Sequence, residues 1–104
     1  MEAVSVDQAY ILETLRANRD RLRNEFGIER IGLYGSFARN EQTEKSDIDL
    51  VYDLEKGRTL PWSEKNHLHS ILYHQFNRKL DLVDSRFMNP FIEYKMEKDV
   101  IYVQ

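Results

Sequence analysis

At 104 residues the chain has room for one small domain, taken here as 1–104, with a modest core. Its 41% hydrophobic and 32% charged residues suit a soluble globular protein, and a net charge of −3 argues against broad nucleic-acid binding while leaving room for a local basic patch. With no cysteine, disulfides and thiolate metal sites are excluded; no apolar run approaches the ~20 residues of a membrane span, the start MEAVSVDQAY lacks a signal-peptide pattern, and a cytoplasmic location without membrane contact is the default.

The segment from Ser5 to Phe26 reads as one amphipathic helix, with Ile11, Leu12, Leu15, Leu22 and Phe26 near a single stripe. Arg16, Arg19, Arg21 and Arg23 fill much of the rest, as a solvated face or an anion- or partner-binding surface, and Gly27 is a plausible stop. Ile28 to Tyr34 alternates as a strand, Gly35 breaks it, and Ser36 can cap a short helix over Phe37 to Asn40. Glu41 to Ser46 is a polar loop, followed by a strand over Asp47 to Asp53 with Ile48, Leu50 and Tyr52 opposite the aspartates. After a turn at Lys56, Gly57 and Arg58, Pro61 opens a helix that Thr59 can cap, with a buried stripe of Leu68, Ile71, Leu72 and Phe76. Trp62 is expected to anchor the core, and His67, His69 and His74, which lack helical metal-ligand spacing, to be structural. Leu80 to Asp84 is a short strand, Pro90 to Lys98 a helix and Val100 to Val103 a last strand. The alternation α-β-α-β-α-β-α-β predicts an α/β (α+β) fold, a small mixed sheet of about four strands flanked by helices.

The chemistry concentrates in GSFARNEQTEKSDIDL, residues 35 to 50. Gly35 permits a sharp turn and close approach of a phosphate, and amides at a following helix start favour an anion. Taken alone, Gly-Ser after a strand is more often a turn and a cap. Asp47 and Asp49, two apart in a strand, project together and repel unless a cation lies between them. Aspartate is also a poor strand former, so an oxygen-seeking divalent cation is a natural offset. For a third carboxylate, Asp81 in RKLDLVD is the best placed; Asp84 competes from the strand end and opposite face, and Asp53 lies far from the Gly-Ser turn. A salt bridge from Asp81 to Arg78 or Lys79 is the alternative.

Together these residues resemble the DNA polymerase β-like nucleotidyltransferase superfamily, and the whole chain resembles its minimal nucleotidyltransferase (MNT) domain, of the MntA type paired with HEPN toxins. The family pattern of Gly-Ser, Ala-Arg-Gly and Ser-Asp-x-Asp-Leu falls on Gly35, Ser36, Ala38, Arg39, Ser46, Asp47, Asp49 and Leu50, with Asp81 as the third acid. Asn40 departs from it, standing where the family usually has glycine.

The resemblance implies a polymerase β-like fold and a site in which Gly35 and Ser36, with Arg39 and Ser46, hold the triphosphate of ATP. It further implies Asp47, Asp49 and Asp81 as ligands of a two-ion Mg²⁺ site, with Asp81 also helping to deprotonate an acceptor hydroxyl. Arg39 has a plain alternative, a surface salt bridge to Glu41 or Glu44. A chain this short leaves little room for an appended acceptor-gripping domain, so the acceptor is expected on a partner. The family implies that partner, a HEPN-domain toxin adenylylated on a tyrosine. The alternatives are an antitoxin that works by contact alone, and a small hydroxyl acceptor such as an aminoglycoside in a pocket built by a homo-oligomer.

Overall fold

The computed structural model describes residues 5–103, in the order α1 (Gln8–Ala17), α2 (Arg19–Phe26), β1 (Ile28–Tyr34), β2 (Ile48–Leu54), α3 (Trp62–Phe76), β3 (Leu80–Asp84), a 3₁₀ turn (Ser85–Phe87), α4 (Pro90–Asp99) and β4 (Ile101–Tyr102). No helix among these residues is long and apolar enough to cross a membrane.

The single helix expected over 5–26 is two. Asp7 caps the first by accepting from the Tyr10 amide, and Asn18 breaks the run with its side chain donating to the Thr14 carbonyl at 2.7 Å. A side chain that bonds back to its own helix competes with the ladder and ends it. Gly27 then closes α2 in the left-handed conformation, φ 70°. The cap expected from Thr59 is absent: Pro61 precedes α3 without a side-chain cap bond.

The sheet has the order β3-β2-β1-β4, with β1 antiparallel to both β2 and β4 and β2 parallel to β3. This is the mixed four-stranded sheet that the alternation predicts. Strand periodicity sends Ile31, Leu33, Ile48, Leu50, Tyr52, Leu80 and Leu82 to one face, where Ile11 and Leu15 of α1, Leu22 and Phe26 of α2 and Leu68, Leu72 and Phe76 of α3 cover them. The other face is only partly covered: Met96 of α4 and Met88 pack on Val51, flanked by Tyr34, Val83 and Tyr102. Trp62, expected in the core, is 78% exposed at the first position of α3. His69 hydrogen-bonds the Leu80 carbonyl at 3.2 Å, His67 lies against Phe26, and His74 is exposed.

Leu50 is fully buried at the centre of the main core. Leu50→Ala is expected to lower stability by about 2–5 kcal/mol in urea denaturation. Phe91→Ser, at an exposed position, should stay within about 0.5 kcal/mol of the parent.

Candidate active site

On the partly covered face, register builds a row. Tyr34 of β1 pairs with Asp49 of β2, and Asp49 pairs with Asp81 of β3. Neighbouring strands lie ~4.8 Å apart, so three polar side chains stand side by side across three strands. Asp47, in the residue pair just before β2, completes the group from the strand's entry. Asp47 and Asp49 are half-buried and Asp81, on the edge strand, is exposed.

The electrostatics follow from that packing. Burial, then Asp81, then Asp47 push the Asp49 carboxyl up to about 6, with Arg39 opposing them. Burial, Asp49 and Asp81 likewise push the Tyr34 phenol up to about 12. A half-buried carboxyl held next to two others is a place where positive charge is favoured. Among the described residues no three acidic or histidine side chains converge into a ready-made metal cage. The donor set is nevertheless all hard oxygen, and a divalent cation would relieve the repulsion that, second to burial, raises Asp49. No ion pair holds Asp81 among the described residues, so the bridge to Arg78 or Lys79 does not form.

The turn at Gly35 stands directly over this group. Gly35 has φ 78°, and a methyl group in place of its hydrogen would overlap the Asp49 carboxylate. Glycine is needed twice there, for the left-handed backbone and for the space beside the acid. The short helix expected over Phe37 to Asn40 does not form. Residues 36–40 make successive turns, closed by bonds from the Arg39 amide to the Gly35 carbonyl (3.2 Å) and from the Glu41 amide to the Ser36 carbonyl (2.9 Å). The chain therefore offers a tight loop, not a helix dipole, beside the carboxylates. Asn40 takes φ 58°, the left-handed region that asparagine tolerates better than most residues, and so keeps the turn where glycine would otherwise stand.

Several side chains fix the loop. Phe37 is fully buried and pins it to the core, and Gln8 of α1 donates to the Ala38 carbonyl at 2.8 Å. Arg39 is bonded to Glu41 at 3.0 Å and to Asp99 at the end of α4 at 2.7 Å, so it ties the loop to α4. Ser46 accepts from the Thr43 amide at 2.9 Å and stabilises the following polar loop. Ser36 is half-exposed at the turn itself. Asp53 is held by Arg30 and Ser85 far along β2, and Asp84 is buried on the opposite face in a bidentate pair with Arg86. Neither joins the row.

Sequence reasoning missed two contributors. Tyr34 enters the row only through the β1–β2 register, although its spacing from Gly32 already put it opposite Ile31 and Leu33. Arg78 reaches the carbonyls of Thr43, Glu44 and Ser46 at 3.1–3.4 Å and braces the loop before Asp47. No short-range pattern announces a contact across more than thirty residues.

Because folding raises the Asp49 carboxyl from 3.8 to about 6, the folded protein holds a proton there that the unfolded chain releases. Asp49 in the metal-free protein therefore costs nothing below pH ~4, costs progressively more up to pH ~6, and costs its full amount above that. Asp49→Asn is expected to raise metal-free stability at pH 7.5 by on the order of 1 kcal/mol, allowing for solvent screening, and to have no such effect at pH 4. Thermal unfolding at the two pH values is the check.

Residues 19–104 match the family model described as polymerase beta, nucleotidyltransferase. A candidate protein adenylyltransferase of Methanocaldococcus jannaschii is 35% identical over 94 residues, covering 89% of this chain and 94% of that protein. A solved minimal nucleotidyltransferase superposes with a TM-score of 0.69 at 31% identity, covering 95% of this chain and 98% of the other. The MNT antitoxin in a complex with a tri-AMPylated Shewanella oneidensis HEPN toxin shares the fold, with a TM-score of 0.64 at 19% identity over 89% of this chain and 71% of that one. With a Gly-Ser turn set over paired aspartates and relatives aligned along nearly its whole length, this chain belongs to the polymerase β nucleotidyltransferase family, among its minimal members.

Proposed function

We propose that this protein transfers AMP from ATP, with Mg²⁺, to a tyrosine hydroxyl of a partner HEPN-domain toxin and so acts as that toxin's antitoxin. The observation that carries the reading is the register of Asp49 with Asp81 directly beneath the Gly35 turn. A phosphate-accepting turn and a carboxylate row at one place are what nucleotidyl transfer requires. The adenylyltransferase relative supports the reaction, and the complex of an MNT antitoxin with an AMPylated toxin supports the acceptor.

In this reading Gly35 and Ser36 receive the triphosphate, and the missing side chain at Gly35 makes room for the Asp49 carboxylate directly beneath the turn. Asp47 and Asp49 would hold Mg²⁺, and Asp81 would complete its site. Magnesium is commonly bound by one or two carboxylates together with substrate phosphates and water, so a closed protein cage is not needed beforehand. When bound, the metal supplies charge stabilisation at the α-phosphate and the departing pyrophosphate. Asp81, exposed on the edge strand, orients the acceptor hydroxyl and takes up its proton. Phe37, Gln8 and Arg78 hold the loops in place. Arg39 and Ser46 serve the same end, since both are engaged with protein groups next to the site. Asn40, standing where the family usually has glycine, preserves the turn through its left-handed backbone.

Incubation with α-labelled ATP, Mg²⁺ and the purified toxin is expected to label the toxin. An unlabelled toxin that nevertheless binds the protein would overturn the reading. Replacing both Asp47 and Asp49 with alanine should reduce transfer by ~100-fold or more and abolish toxin neutralisation in cells. Neutralisation that survives this double change would assign the antitoxin effect to contact alone.

A further inference from the structure

Asp81 is the meeting point of two hollows, one on each side of β3. The first, about 250 Å³, includes Lys65 and His69 in its wall. The second, about 300 Å³, begins at Tyr34 and Asp81 and runs along Val83 to Phe87, Met88 and Ile92. Among the described residues lining this second groove, Asp81 is the only charge. Its outer rim is unusual for a surface: Phe87 is 80% exposed and Ile92 48%.

We infer that the groove walled by Phe87, Met88 and Ile92 is the acceptor side of the site and receives an aromatic side chain, a tyrosine of the partner protein, with its hydroxyl at Asp81. This rests on the adenylyltransferase reading above. Three features select the occupant. The groove is continuous with the carboxylate row through Tyr34 and Asp81, so anything lodged in it presents its inner end to the reacting centre. A wall with one negative charge and no positive one repels a nucleotide triphosphate and disfavours a polyhydroxylated sugar, whose many polar groups would lie unpaired against Phe87 and Met88. Its volume lies at the lower limit of small-molecule sites, about 300 Å³, which suits one ring better than a multi-ring ligand. Aromatic and aliphatic rims with a polar terminus recur where an aromatic alcohol is held. In the transfer, the phenolic oxygen bonds to the α-phosphorus while the bond from that phosphorus to the bridging oxygen breaks. Pyrophosphate leaves with the electron pair, and the phenolic proton passes to Asp81 and from there to solvent.

The test uses protein with labelled methyl groups, N-acetyl-tyrosinamide as probe, and AMP transfer to the toxin measured in parallel. The probe should shift the Met88 and Ile92 methyl resonances saturably in the millimolar range. The Met88 shift should be far weaker in a variant carrying Phe87→Ser and Ile92→Ser, whose exposed positions leave melting temperature and ATP affinity unchanged. The same variant should lose about tenfold in kcat/KM for the toxin. Silent Met88 and Ile92 methyls, or an unchanged kcat/KM, would overturn the assignment of the groove even if AMP transfer proceeds. Conversely, methyl shifts without any AMP transfer to the toxin would leave the groove standing and remove the adenylyltransferase reading beneath it.

Discussion

Two mutually repelling carboxylates are held opposite each other on adjacent parallel strands, and the rest of the molecule is arranged to make that arrangement persist. Asp49 and Asp81 share a register position, and half-burial of Asp49 weakens the water screening that would otherwise separate them. A strand can tolerate this only if its other face is strongly anchored. In β2 that anchor is Ile48, Leu50 and Tyr52, all buried under three helices. The same alternation that buries the apolar residues leaves the acids no other direction. A one-residue slip would bring Asp49 into the core and Leu50 out of it, so the hydrophobic pattern itself protects the site geometry.

The Gly35 turn is subject to the same crowding. Its backbone passes so close to the Asp49 carboxylate that no side chain fits between them. The loop that follows is stiff because it is fastened on several sides: Phe37 to the core, Gln8 from α1 and Arg39 to the end of α4. The loop leading into Asp47 is fastened in turn by Arg78, whose guanidinium gathers three of its carbonyls. Positioning of this kind relies on distributed contacts and survives the substitution of a single turn residue, as Asn40 illustrates by adopting the conformation that glycine would have supplied.

The two faces of the sheet divide the labour. One carries the main core; the other carries a small cluster around Val51, Met88 and Met96 that stops short of the carboxylate row. That incomplete cover leaves the row open and places an apolar groove against its outer end. The adjoining 3₁₀ turn and α4 thus support the strand at Met88 and Met96 while exposing Phe87 and Ile92 at the rim.

Much of this was written in the chain. Alternation in IERIGLY and IDLVYDL determined both strands, which face carried the aspartates, and that Gly35 ends the first strand, because side-chain direction in a strand follows from parity alone. The segments that departed from expectation did so for tertiary or competing local reasons. Asn18 turns its side chain to the helix backbone, Phe37 is buried in the core from a tight loop, and Trp62 stands exposed at the start of α3. What only the folded structure decided is which residues become neighbours across strands. The parallel pairing of β2 with β3 set Asp81 in register with Asp49, and the antiparallel pairing with β1 brought Tyr34 into the row. Register is a property of packed faces and connections between distant segments, so the sequence could name the acids but not seat them together.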